Sequence, residues 1–224
     1  MYSRSSHERL SLPDLRNFPS DSLHDAIGRV VCEAGCLPRK EFFESWAVAK
    51  KVLRRHRGGR VVDLAGGHGL VGWMMALMDR KTTTVVVVDT RLPKSAERLH
   101  TALSARWTGL GERITYEQRS LDDVVIASDD RVLGIHACGA LTDRVLDAAI
   151  GSHARVAVLP CCHSHAKLDD GGLSGWLDAD VAIDVVRARR LADSGYVVHT
   201  TRIAEDITPK NRLLLGTPQA EPAL

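Results

Sequence analysis

The chain has 224 residues, of which 44% are hydrophobic and 26% charged, with a formal net charge of +2. That length suits one domain with a substantial core, the composition excludes a disordered chain, and no run of ~18 uncharged apolar residues is available to cross a bilayer. Five cysteines (Cys32, Cys36, Cys138, Cys161 and Cys162) without an apolar N-terminal stretch of signal-peptide length predict reduced thiols, a cytoplasmic location and no membrane partner.

Residues 1–22 are polar and read as a mobile lead-in to a single domain over residues 23–219. Apolar residues then recur at helical spacing over 23–36 and again over 39–56, with Pro38 starting the second helix, so N-terminal helices fill residues 23–57. Lys50, Lys51, Arg54, Arg55, Arg57 and Arg60 crowd the end of that region, either as a phosphate-facing strip or as a solvated helix face and basic helix end. Glu44 reads as an exposed carboxylate on this helix, with folding over a cofactor as the alternative.

Residues 60–64 (RVVDL) form a buried strand, 66–69 a tight turn and 70–78 an apolar helix. The β-branched run 82–88 suits a strand buried on both faces and ends on Asp89. A helix over 94–107, a short strand over 114–117 and a polar turn over 120–123 follow. Next come a strand over 131–136, a helix over 141–150, a strand over 155–159 and a helix over 181–194. Strand and helix alternate five times, which demands right-handed crossovers, a mostly parallel sheet covered on both faces, and ligands at the carboxyl ends of the strands. Two last strands, 196–203 and 212–216, are joined only by the loop 206–211 and close the sheet as an antiparallel pair.

Gly67-His68-Gly69-Leu70-Val71-Gly72 matches G-x-G-x-x-G, and Asp89 follows at the end of the next strand, placed to reach a ribose diol. Alone, this pattern fits a nicotinamide or flavin dinucleotide as well as a nucleoside cofactor. Three features favour S-adenosylmethionine (SAM). Asp63 precedes the glycine turn, where a carboxylate would repel a pyrophosphate and attract the ammonium group of SAM. Ser120-Leu121-Asp122-Asp123 offers short polar side chains to an adenine. The terminal antiparallel pair is foreign to dehydrogenases.

Asp63-Leu64-Ala65-Gly66-Gly67-His68-Gly69 resembles the signature of class I SAM-dependent methyltransferases, acid-x-Gly-x-Gly-x-Gly, with Ala65 in place of the first glycine. The resemblance implies a Rossmann-like, mostly parallel seven-stranded sheet with a terminal antiparallel strand pair. It also implies that Asp63, Ala65, Gly67 and Gly69 line the methionine end of SAM, that Asp89 takes the ribose hydroxyls, and that Asp122 lies near the adenine. Two further turns, His136-Ala137-Cys138-Gly139 and Cys161-Cys162-His163, resemble those of the Trm13 / methyltransferase-25-like subgroup. His136, at the end of strand four, then borders both cofactor and acceptor, and His136 or His163 could serve as catalytic base. The same turns could instead pack against each other with the imidazoles bonded to backbone. No metal is expected, because the spacing lacks C-x2-C pairing and adjacent Cys161 and Cys162 would point opposite ways from an extended segment. RNA is the acceptor suggested by the subgroup and the basic stretch, and a small molecule by the modest charge and by an aromatic content of only 4%. An inert SAM-binding module and an NAD-dependent oxidoreductase are the competing classes.

Overall fold

The computed structural model describes residues 2–163 and 168–220. Seven strands form one sheet: β1 (Gly59–Leu64), β2 (Thr82–Asp89), β3 (Ile114–Gln118), β4 (Arg131–Gly134), β5 (Arg155–Val158), β6 (Tyr196–Arg202) and β7 (Arg212–Pro218). Their order is β3-β2-β1-β4-β5-β7-β6, with every pairing parallel except β5 with β7 and β6 with β7. The expected mostly parallel sheet with an antiparallel end is therefore present. The order reverses between β1 and β4, and that switch point opens a crevice at the strands' carboxyl ends.

Alternation along the strands divides the core. Val61, Val85, Val87, Leu133 and Ala157 face α1 (Leu23–Ala34), α2 (Arg39–Val52), α3 (Leu70–Met78) and α4 (Lys94–Arg106). Val62, Leu64, Val88, Val132 and Val156 face the opposite layer, which holds α5 (Ala140–Ser152) and α6 (Ala179–Asp193). Each such side chain contributes ~1.5–3 kcal/mol on leaving water.

Three features bear on the expected boundaries. Within residues 2–22, expected as a lead-in, Leu10 and Phe18 are buried, Arg9 bridges to Pro38, and Gly28 in α1 lacks the Cβ that would strike the Phe18 ring. Their apolar positions are too sparse to show a period, so only tertiary packing reveals them. The second helix ends at Val52, ahead of Gly58 and Gly59, both at positive φ. The fourth strand ends at Gly134, because its partner β5 ends opposite it at Val158. His136 consequently stands on a loop beyond the sheet's edge.

At the opposite, amino-terminal edge, Arg131 is fully enclosed and bonds Asp79 (3.2 Å), Thr82 Oγ1 (2.8 Å) and the Gly59 carbonyl (3.0 Å). Backbone N–H groups of Gly58 and Lys81 also reach Asp79. Burial works against the Asp79 charge, but these donors and Arg131 hold its carboxyl below the usual range. This edge is a closed polar network that braces the sheet far from the crevice.

Candidate active site

The turn after β1 is shaped by four glycines with different duties. A Cβ on Gly66 would lie 2.8 Å from Asp63 Cγ, one on Gly69 2.8 Å from Val87 and 2.9 Å from the Tyr116 hydroxyl, and one on Gly72 2.6 Å from Val85. These three let the turn and α3 press onto the sheet. Gly67, at φ 54°, is different: a Cβ there would meet nothing within 4 Å, so its backbone faces open space. Ala65, where the signature has glycine, takes φ 53° and bears the strain of a left-handed conformation, ~1–2 kcal/mol.

Asp63 lies beneath this turn, buried, with its carboxylate accepting from the Gly72 N–H. Burial, reinforced by Asp89, pushes its pKa up to about 7. Asp89, at the end of β2, accepts from Gly67 N and Arg91 N, both at 3.1 Å, and is thereby fixed beside the open backbone of Gly67. Ala65, Asp89, Ser120 and Leu121 line a narrow cleft of about 50 Å³ with Arg119 and Arg144. Asp122, expected near the adenine, is exposed and ion-paired with Arg144 on α5, which lines the cleft together with Ser120 and Leu121. An open glycine cradle flanked by an oriented carboxylate fits a nucleoside cofactor of SAM type.

Beside the turn, α2 brings Glu41, which sequence reasoning missed, and Glu44. His68 Nδ1 accepts from Leu70 N at 3.2 Å, which leaves the ring proton on Nε2, 2.7 Å from Glu41 Oε2. Burial acts to raise the Glu41 carboxyl, but His68 outweighs it and holds Glu41 below the ordinary carboxylate range. Glu44 is buried, contrary to the exposed reading, and lies 3.0 and 3.1 Å from Lys40 Nζ. Burial nonetheless raises its pKa. The helical spacing Glu41-x-x-Glu44 was the available signal, and only the docking of α2 on α3 shows which way that face points.

His136 packs edge-on against His68, ring centroids 5.5 Å apart. Burial, then the neighbouring His68, lowers its pKa to about 4, so its ring is neutral at physiological pH. Its Nε2 is buried and has no hydrogen-bond partner among the described residues. His163 is placed differently. Its side chain is fully enclosed, with Nε2 2.9 Å from Asp184 and Nδ1 3.4 Å from Asp180, both on α6. Asp184 also receives Arg212 at 2.6 Å, so His163 ties the turn after β5 to α6 and β7 rather than to the His68–His136 group.

Cys138, Cys161 and Cys162 do converge, against expectation, with all three sulfurs within 4.8 Å of one another. Residues 160–163 follow the end of β5 and are not extended strand, so the alternation that would separate neighbouring side chains does not apply. The neighbouring residues Ser164 and His165, part of the same motif, lie outside the described residues. The basic stretch splits. Lys50, Lys51 and Arg54 line a groove with Phe43, Trp46 and Arg202, whereas Arg60 pairs with Asp130 and Arg57 bonds the Leu53 carbonyl. No helix among the described residues is long and apolar enough to cross a membrane.

Comparison with known proteins agrees with this geometry. An O-methyltransferase family protein from Burkholderia thailandensis is similar in structure (TM-score 0.51, 18% identity, 93% of this chain and 68% of that one). So is the N,N-8-amino-8-demethyl-D-riboflavin dimethyltransferase RosA of Streptomyces davawensis (TM-score 0.52, 18% identity, 92% and 62%). The M1A22 tRNA methyltransferase TrmK of B. subtilis is a third (TM-score 0.50, 16% identity, 77% and 65%). The chain thus spans about two thirds of these structures or less, and identities this low speak to the fold alone. No curated protein matches the chain by sequence. A family model described as a methyltransferase domain matches residues 41–168, more than half of the chain and the whole span from Glu41 to the cysteine turn. The chain therefore belongs to the methyltransferase-domain family and is a SAM-dependent methyltransferase of class I fold.

Proposed function

We propose that this enzyme methylates a small molecule, with the acceptor bound where His68, His136, Glu41 and Glu44 meet. SAM supplies an activated methyl group on a sulfonium sulfur. Asp63, Ala65, Gly67 and Gly69 would hold its methionine end, Asp89 its ribose hydroxyls, and Ser120 and Leu121 its adenine, with Asp122 acting from outside through Arg144. The observation that carries the reading is the buried, unpartnered Nε2 of a neutral His136. A neutral imidazole nitrogen with no protein partner is free to accept a proton from an acceptor O–H or N–H, and the enclosure around it excludes water. His68, fixed as the Nε2–H tautomer by Leu70 and Glu41, orients that ring. His163 then positions the turn after β5 and is the weaker candidate for the base. Neighbours of the same fold are named for both kinds of acceptor, RosA and the mitomycin 7-O-methyltransferase MmcR for small molecules and TrmK for tRNA, and the modest net charge and low aromatic content favour the small molecule.

RNA is the second reading, favoured by one observation. The groove of about 610 Å³ along α2 combines Arg4, Lys50, Lys51, Arg54 and Arg202 with Phe43 and Trp46, cations for phosphates beside rings for bases. The likeness to the Trm13 / methyltransferase-25-like turns belongs with this reading.

Calorimetric titration with SAM, S-adenosylhomocysteine and NAD, repeated on Asp89→Ala, tests the cofactor assignment: SAM and its product bind, the substitution weakens both, and NAD does not bind. Transfer of labelled methyl into a metabolite extract, but not into total RNA, supports the small-molecule acceptor. Label in RNA alone, lost on Lys50→Glu/Arg54→Glu, replaces it with the second reading.

A further inference from the structure

We propose that Cys138, Cys161 and Cys162 bind one soft metal ion, zinc(II) being the probe of choice. Their sulfurs lie within 4.8 Å of one another, and Cys138 Sγ is 2.9 Å from Cys161 Sγ. Three of the chain's five cysteines, more than 20 residues apart in sequence at the extremes, are gathered here by the backbone. β4 and β5 end side by side, Gly134 opposite Val158, so both loops leave the sheet together. Gly139 N then donates to the Cys162 carbonyl at 2.9 Å and clips one loop to the other. Gly139 itself has φ 59° and ψ −127°, a conformation that side chains disfavour, and it sets the turn that points Cys138 at the second loop.

The donor chemistry selects the ion. Three thiolates suit zinc or another thiophilic metal and not magnesium or calcium, which take oxygen. With Zn–S bonds of about 2.3 Å, tetrahedral geometry puts sulfurs about 3.8 Å apart. That spacing lies between the closest sulfur pair and the outer limit of the cluster, within reach of side-chain rotation. Three protein ligands leave a fourth position, as in zinc sites that exchange a ligand. Cys138 and Cys162 are exposed and Cys161 half-buried, so that position opens to solvent. Binding is not redox: three Cys–SH groups and one Zn²⁺ give a tris-thiolate complex and three released protons. The site does not depend on which acceptor the enzyme uses.

The test uses the full chain, reduced and freed of metal by a chelator. Zinc is titrated in competition with a chromophoric chelator, and cadmium is titrated while thiolate-to-metal charge-transfer absorption is followed. One ion per chain is expected, with the charge-transfer band saturating at one equivalent. Cys138→Ser, Cys161→Ser and Cys162→Ser should each weaken zinc binding at least ~100-fold, since even groups that only support a ligand are worth ~10–100-fold. Circular dichroism and S-adenosylhomocysteine binding, measured on the same variants, separate loss of the site from loss of the fold or of the cofactor site. Absence of the cadmium band in the native sequence overturns the proposal without reference to any variant. Equal zinc affinity in the triple serine variant also overturns it, as does a Cys138–Cys161 disulfide, seen as loss of two hydrogens by mass, in protein that never takes up zinc.

Discussion

Gly67 and Gly69 share a motif and a positive φ, yet substitution should separate them. Gly69→Ala forces a methyl into Val87 and Tyr116 and should cost several kcal/mol of stability, read as a fall in the urea midpoint. Gly67→Ala meets open space and should cost only ~1 kcal/mol of backbone strain, while its methyl intrudes on the cofactor's side of the turn and weakens SAM binding disproportionately. Asp63 gives a second residue-scale prediction. Its folded pKa of about 7 lies above the unfolded carboxylate value, so the folded state holds an extra proton between roughly pH 4 and 7 and its stability contribution falls as pH rises through that window. Asp63→Asn should therefore raise the melting temperature at pH 8, weaken SAM binding, and flatten the pH dependence of that binding near pH 7. If melting temperature falls at pH 8, the buried charge is compensated and the reasoning fails. The places of Asp63 in β1, Gly67 in the glycine turn and Asp89 at the end of β2 were legible in the sequence because strand length and turn chemistry fix their spacing. Glu41 and His68 were not, since nothing local says that a carboxylate on α2 will lie against the glycine turn. The Asp122–Arg144 pair was not legible, because a short 3-10 turn, Leu121–Asp123, and the docking of α5 bring the two side chains together.

Among elements, Tyr116 links β3 to the glycine turn. Tyr116 donates to the His68 carbonyl at 3.1 Å and accepts from Trp73 Nε1 at 3.2 Å, pinning turn and α3 to the strand. Tyr116→Phe leaves a buried indole N–H and a carbonyl without partners and should cost ~1–3 kcal/mol in chemical denaturation. It should also loosen the turn, so that SAM affinity drops together with stability. An unchanged affinity would show that the turn holds its shape without this anchor. The strands were legible from β-branched runs and from the glycine and aspartate residues that punctuate them. Their ends were less so: β4 stops at Gly134 because of its neighbour's length, and that two-residue difference moves His136 from a strand to a loop. The docked segment before α1 was invisible for a related reason, since Leu10 and Phe18 show no period and are buried only by α1 and α2.

At the scale of the whole molecule, two buried neutral imidazoles set the response to acid. His56, against Thr217 and near Arg155 and Arg131, and His136 both have their pKa lowered to about 4, chiefly by burial. The unfolded chain binds these protons near pH 6.5, so stability rises with pH between about 4 and 6.5 and is lost as pH falls through that window. His56→Gln combined with His136→Gln should reduce the pH slope of the unfolding free energy there by up to about two protons. A slope that does not change would show that these imidazoles do not set the response in that window, leaving acid sensitivity to begin below about pH 4 with the carboxylates Asp79 and Asp25, whose pKa values lie below the usual range. The sheet order carries a consequence for biosynthesis. Residues 212–218 are the last of this sheet's seven strands to be made, yet they lie between β5 and β6, not at an edge. A ribosome-bound chain that has emitted everything through β6 still presents β5 with an unpaired flank, a template for wrong pairing with another nascent chain. Maturation thus waits on one seven-residue segment, and a chaperone that shields β5 during that interval would protect yield without touching the finished enzyme.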